Sequence, residues 1–152
     1  MDRPNWDKYF MDIAHVVKSR SNCMTRQTGA IIVKDKRIIG TGYNGTPSGI
    51  KNCFDGGCPR CTARMDGKVE SGRDLDKCIC CHAEENAIVH SALHGNATKG
   101  SMIYITFTPC SQCAKMIINA GITKVVSAEP YTDPLGTQLL NDAGIELLVF
   151  SK

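Results

Sequence analysis

The chain has 152 residues, the length of one domain by the rough prior of about 100–200 residues each, and enough to bury about 68–70% of its extended surface around one core. Its 18 Lys and Arg against 15 Asp and Glu leave a formal charge of +3 and a pI near 8.4, too mild for a dedicated polyanion binder, whose domain pI usually exceeds about 9. The charged opening MDRPNWDKYF has no apolar signal-peptide core, and no later run approaches the roughly 18–20 apolar residues of a membrane span. The expectation is a soluble, cytoplasmic protein with neither membrane nor nucleic acid as its partner.

In chain order, Trp6, Phe10, Ile13 and Val17 recur at helical spacing and predict a helix that opens near Pro4, runs toward Arg20 and turns this stripe to the core. GAIIVKDKRIIGTGY holds two β-rich runs joined at the polar Lys34-Asp35-Lys36, which reads as a β-hairpin. Residues from about 45 to 81 then lose all periodicity and fill with Gly, Cys, Pro and charge. A structureless loop of that length needs something other than its own packing to order it. Beyond it, helix and strand alternate. A helix over 83–93 stops at Gly95, SMIYITF is a strand, and a helix over 110–120 stops at Gly121. KVVSA is the next strand, a helix over 134–143 has Asp133 as N-cap and Gly144 as stop, and ELLVF closes the series. Short crossovers are right-handed and pair the last three strands in parallel. With the hairpin added, the expected fold is α/β in three layers, a five-stranded mixed sheet with helices on both faces.

Nine cysteines, an odd number in a chain read as cytoplasmic, argue against a disulfide framework and for metal ligation or thiol chemistry. Cys53, Cys58, Cys61, Cys78, Cys80 and Cys81 crowd one segment, Cys110 and Cys113 form a C-x-x-C pair, and Cys23 stands apart. His82-Ala83-Glu84 and Pro109-Cys110-Ser111-Gln112-Cys113 each sit where a helix begins. There the positive end of the helix dipole favours thiolates, and Cys110 and Cys113 share one helical face. Two thiolates and one imidazole make three zinc ligands, and a zinc with three protein ligands keeps its fourth position for water, as hydrolytic sites do. Glu84 is left as a nearby carboxylate that is not a ligand, suited to carry protons for that water. C-x-x-C at a strand-to-helix step also presents redox pairs, but that reading leaves His82 and Glu84 without a task and lacks an aromatic before the first cysteine. His90 and His94, four apart with no third ligand beside them, read as ordinary surface or core histidines.

HAEENA at 82–87 and TPCSQC at 108–113 carry the H-x-E…P-C-x-x-C signature of zinc nucleobase deaminases, and the chain resembles the cytidine deaminase superfamily. GYNGTPSG at 42–49 narrows the resemblance to deoxycytidylate (dCMP) deaminases, and Cys58-Pro59-Arg60-Cys61 with Cys78-Ile79-Cys80 is similar to the eukaryotic-type and viral members. The resemblance runs from about residue 23 to 145, within a single deaminase domain over 1–152. It implies the cytidine-deaminase-like fold and zinc-dependent hydrolysis of dCMP to dUMP and ammonia, which supplies dUMP for thymidylate synthesis. It also implies a hexamer activated by dCTP and inhibited by dTTP, with Mg2+ accompanying the triphosphate.

Carried over by position, the resemblance puts zinc on His82, Cys110 and Cys113 and the proton shuttle on Glu84. It places Ala83 with the substrate-binding residues, Asn44 on the sugar hydroxyl, Tyr131 against the cytosine, and the effector near Gly42, Tyr43, Asn44 and Gly45. Glycines flanking Asn44 would let backbone approach a ligand, although N-G is also a plain turn signal. A monophosphate needs a cation, and Arg26 is the candidate, with a solvated surface arginine as its competitor. Cys23, Cys53, Cys58, Cys61, Cys78 and Cys80 offer more than four ligands for a second, structural zinc. Some viral relatives hold one with cysteines at the positions of Cys23 and Cys53, but their remaining ligands, histidines and a glutamate, are absent here. The ligand set therefore stays open beside a reading as free thiols. A free cytidine deaminase, a polynucleotide-editing deaminase and a non-enzymatic zinc-stabilised binding module are the alternatives. The insert and GYNGTP weigh against the first and the mild charge against the second.

Overall fold

A computed structural model describes residues 1–150. Five strands, β1 (Gly29–Lys34), β2 (Arg37–Tyr43), β3 (Met102–Ile105), β4 (Lys124–Ser127) and β5 (Glu146–Val149), form one sheet in the order β2-β1-β3-β4-β5. The strands β1 and β2 pair antiparallel, as do β1 and β3, whereas β3, β4 and β5 run parallel. The expected five-stranded mixed sheet is thus present, with the expected parallel half. Its hairpin turns at Asp35 and Lys36, both at positive φ (50° and 58°), the backbone of a two-residue primed turn that matches the twist of the strands.

Alternate residues of the central strands feed two cores. Ala30, Ile32, Ile103, Ile105 and Val125 face α3 (Ala83–Leu93), α4 (Ser111–Asn119) and α5 (Pro134–Asp142), while Ile31, Val33, Tyr104 and Val126 face α1 (Trp6–Lys18). Burial on both faces explains why these strands read as continuous apolar runs. In α1, Phe10, Met11 and Ala14 are buried and Phe10 meets Tyr104 at 5.3 Å between ring centroids. Trp6, expected in the core stripe, is instead 44% exposed. It stacks on Phe10 with Lys36 over its ring, in the first position of the helix after the Asn5 N-cap.

The insert is less irregular than its sequence suggests. It contains α2 (Pro59–Met65) and short 3-10 turns at Cys53–Asp55 and Leu75–Lys77. Between residues 46 and 81 the only buried side chains are Cys53, Cys58, Arg60 and Cys61, so this segment has no hydrophobic core of its own. Among the described residues no helix is long and apolar enough to cross a membrane.

Candidate active site

The start of β1, the ends of β2 and β3, and the N-termini of α3 and α4 meet at one edge of the sheet. They surround a cavity of about 760 Å³ lined by His82, Glu84, Cys110, Asn44, Arg26 and Phe107 among others. Ligand sites of open α/β sheets favour this location, at the carboxyl ends of parallel strands. His82 caps α3 and Cys110 caps α4, with Cys113 one turn further in. The His82 N–H donates to Glu85 Oε2 at 3.1 Å, and Cys81, just before His82, is bridged to Gly45 by two backbone hydrogen bonds of 3.2 and 2.8 Å. The imidazole is therefore held from both sides of its own backbone.

His82 Nδ1 lies 3.5 Å from Cys110 Sγ and 3.3 Å from Cys113 Sγ. In a tetrahedral site with bonds of about 2.0–2.1 Å to nitrogen and 2.3 Å to sulfur, that edge is about 3.5 Å. The three donors fit a zinc ion in both chemistry and spacing. The Cys113 thiol and the His82 ring hydrogen-bond the Cys110 sulfur and pull its pKa down to about 4, and the same Cys110 contact raises His82 to about 9. Cys113, hydrogen-bonded to that thiolate and buried, is pushed up. The lowered Cys110 favours a thiolate at the N-terminus of α4. Glu84 is 7% exposed, and burial raises its carboxyl to about 7.

Asn44 is 8% exposed and serves the scaffold as well as the cavity. Its Oδ1 accepts from Ser21 Oγ at 2.6 Å and from the Thr28 N–H at 2.8 Å, and its Nδ2 donates to the Arg26 carbonyl at 2.7 Å. An amide side chain has two acceptor sites and two donor hydrogens, so one N–H remains. The Arg26 guanidinium stacks over Phe107 at 4.3 Å on the cavity wall.

Other expected site residues lie off that wall. Tyr131 packs against the sheet core and points its hydroxyl 3.3 Å from the Val125 carbonyl. The aromatic ring that lines the cavity is Phe107. The Ala83 side chain belongs to the core. A Cβ at Gly42 would fall on the Ala83 carbonyl, and one at Gly45 on the Asn22 side chain. Gly42 therefore admits the helix that carries Glu84, and Gly45 makes room for the Asn22 side chain, so both positions are packed against the protein itself. Tyr43 is 39% exposed, with its carbonyl tied to Asn86 Nδ2. His90 accepts from the Thr41 N–H at 3.1 Å, a packing role as expected.

Motif spacing missed the wall contributed by the insert: Arg60, Arg64, Ser71, Gly72, Leu75 and Asp76. Arg60 is 8% exposed and spends Nε and Nη2 on the Arg73 carbonyl at 3.1 and 2.9 Å. Its place between two clustered cysteines was the available signal. Asp133, expected as the α5 N-cap, accepts from the Gly136 N–H at 3.1 Å and also from the Ser111 N–H at 2.7 Å. It thereby ties α5 to the start of α4 beside Cys110. These two backbone donors, Gly136 first, hold its carboxyl below the usual carboxylate range. Six further cysteines, Cys23, Cys53, Cys58, Cys61, Cys78 and Cys80, come together next to the cavity, none of them in a disulfide.

Residues 4–129 match the family described as the cytidine and deoxycytidylate deaminase zinc-binding region. The chain belongs to this deaminase family. It is 43% identical over 150 residues to the deoxycytidylate deaminase of Saccharomyces cerevisiae, covering 98% of this chain and 46% of the yeast protein. The chain thus spans less than half the length of that relative. A deoxycytidylate deaminase of Mycobacterium phage D29 is 38% identical over 130 residues, which is 83% of this chain and 96% of the phage protein. Among solved structures, the dCMP deaminase of cyanophage S-TIM5 in complex with dCMP and dUMP superposes with a TM-score of 0.79 at 32% identity, covering 99% of this chain and all of that one. The fold is that of these deaminases, a three-layer sandwich around a five-stranded mixed sheet.

Proposed function

We infer that this chain acts as a single deaminase domain and hydrolyses dCMP to dUMP and ammonia. The observation that carries this reading is the zinc-spaced triad of His82, Cys110 and Cys113 beside a buried, uncoordinated Glu84 in one cavity. Similarity to phage proteins named for this activity, over 83% of this chain in one and 99% in the other, supports it.

His82, Cys110 and Cys113 would hold the zinc, whose chemistry there would be to make water acidic enough to attack near neutral pH. Glu84 takes a proton from the attacking water and delivers it to the ring nitrogen next to the amino-bearing carbon. The water oxygen bonds to that carbon, Glu84 takes the remaining proton from that oxygen and passes it to the amine, the C–N bond breaks as the carbonyl forms, and ammonia leaves. The spare Asn44 N–H donates to the sugar hydroxyl. Arg26, held flat by Phe107, and the insert's Arg60 and Arg64 give the wall a cationic side that suits a monophosphate better than a free nucleoside. Tyr131, which the resemblance sets against the cytosine, donates its hydroxyl to the Val125 carbonyl. A redox role for the C-x-x-C pair is disfavoured by the imidazole that meets both of its sulfurs and has no task in thiol exchange. A purely structural zinc is disfavoured by the third-ligand-only set and the cavity.

By the same resemblance we extend the proposal to a cytoplasmic hexamer, to dCTP as activator and dTTP as inhibitor, with Mg2+, at Gly42 to Gly45, and to supply of dUMP for thymidylate synthesis. The test is ammonia release from dCMP, CMP, deoxycytidine and dCTP, each with and without dCTP or dTTP as effector. Release from dCMP above all others is expected. Release only from deoxycytidine would move the reading to a nucleoside enzyme, and none at all would move it to a polynucleotide substrate or a non-catalytic module.

A further inference from the structure

Seven of the nine cysteines have no part in the reaction above, and six of them, all but Cys81, cluster without forming one four-ligand site. They form two that overlap. Cys23, Cys53, Cys61 and Cys80 have sulfurs all within 4.8 Å of one another, and so do Cys58, Cys61, Cys78 and Cys80. Cys61 and Cys80 belong to both groups. Sulfur-to-sulfur separations are 4.0 Å for Cys23 and Cys61, 3.8 Å for Cys58 and Cys78, and 3.8 Å for Cys61 and Cys78. A zinc with four thiolates at about 2.3 Å has sulfurs about 3.8 Å apart. These are tetrahedral edges, far longer than the about 2.05 Å of a disulfide.

We propose that these six cysteines hold two zinc ions in a binuclear thiolate cluster, with Cys61 and Cys80 bridging the two metals. One ion takes Cys23 and Cys53 as terminal ligands, and the other takes Cys58 and Cys78. A single ion in either group would leave two sulfurs of the other group without a metal beside it. Two ions sharing two thiolates use all six and carry the same net charge as one zinc with four thiolates, so the second ion adds no uncompensated charge. Each thiol gives up one proton on binding and no electrons move.

The insert supplies a reason for such a cluster. Its buried side chains between residues 46 and 81 are three of these cysteines and Arg60, while Ile50, Phe54, Met65, Leu75 and Ile79 are exposed. A segment without an apolar core needs a metal or disulfide staple to stay ordered. The cluster ties the turn after α1 (Cys23), the 3-10 turn (Cys53), the N-cap and first turn of α2 (Cys58 and Cys61) and the segment leading to His82 (Cys78 and Cys80) into one body. Between Cys61 and Cys78 runs the stretch that supplies Arg64, Ser71, Gly72, Leu75 and Asp76 to the cavity wall. The cluster therefore positions that wall without touching the reacting atoms.

The zinc content of the full chain, purified without chelator, tests this independently of any deaminase assay. The expected value is three zinc per chain, falling to two in Cys110→Ala, which removes the triad site only. Substitution with cadmium-113 should give two additional all-sulfur resonances coupled to one another through the shared thiolates. Cys53→Ser and Cys78→Ser, each removing a terminal ligand from a different ion, should both lower the zinc content and raise the KM for dCMP more than they lower kcat. Two zinc per chain in the native protein, iron in place of zinc, uncoupled cadmium signals, or a full metal complement in either serine variant would overturn the proposal. If the metal count holds while dCMP is not turned over, the cluster stands and the functional reading fails.

Discussion

Replacing Glu84 by glutamine isolates the proton-carrying step from everything else the site does. The side chain is 7% exposed at the second position of α3, and glutamine keeps its length and volume, so packing is preserved. Burial has already raised the carboxyl to about 7. The ionised form is thus disfavoured in the fold, and an amide removes that strain. Melting temperature should stay level or rise slightly. General acid–base catalysis contributes typically 10²–10⁴-fold, about 2.7–5.4 kcal/mol at about 1.36 kcal/mol per tenfold. The loss should fall in the upper half of that range, because so little of this side chain meets solvent that bulk buffer has poor access to replace it. Steady-state release of ammonia from dCMP, zinc content and thermal unfolding would be measured on the same preparation. A kcat within tenfold of the native value, with zinc intact, would remove Glu84 from the mechanism. Loss of zinc or a large drop in melting temperature would make it a structural residue.

Asn44→Ala removes three hydrogen bonds that join the turn after α1 to the end of β2, and each is worth about 1 kcal/mol. It should lower stability by a few kcal/mol and raise the KM for dCMP, both readable by denaturant unfolding and kinetics; an unaffected KM would return Asn44 to a purely structural role. Gly42→Ala puts a methyl on the Ala83 carbonyl and should cost about 1–3 kcal/mol by overpacking, with activity falling as α3 shifts; a fully stable, active variant would contradict the packing described. Asp133→Ala should cost about 0.5–2 kcal/mol at neutral pH, toward the low end because the cap is solvated. The Asp133 carboxyl is depressed in the fold, so its contribution is present above the ordinary carboxylate pKa and fades as pH falls through the folded value. Native and variant unfolding curves should therefore converge in acid, and a gap that persists there would show that charge is not what stabilises the cap.

The elements outside the insert were readable because each combined a hydrophobic period with a breaker. Gly95, Gly121 and Gly144 all take positive φ (71°, 72° and 71°) where the helices end, the conformation that costs glycine least. The triad was readable because its residues sit at helix starts, where spacing fixes direction. The short helix α2 carried no such signal: its buried side chains are Arg60 and Cys61, so no apolar stripe marked it, and its order comes from contacts with Cys23, Cys53 and Cys78 that are distant in sequence. Gly42 and Gly45 carry no such direction, because a glycine that makes room for a helix or a side chain and a glycine that makes room for a ligand look alike in one dimension. The direction of the Tyr131 ring and the reach of Asp133 to Ser111 depend on how loops fold back after β4, which local spacing does not encode.

Conversion of dCMP in heavy-oxygen water, followed by mass spectrometry of the product, tests the central claim most directly. The account predicts one labelled oxygen at the carbon that carried the amine, one ammonia released per dUMP formed, and loss of both in Cys110→Ala. Unlabelled dUMP, or no dUMP from zinc-replete protein, would contradict it.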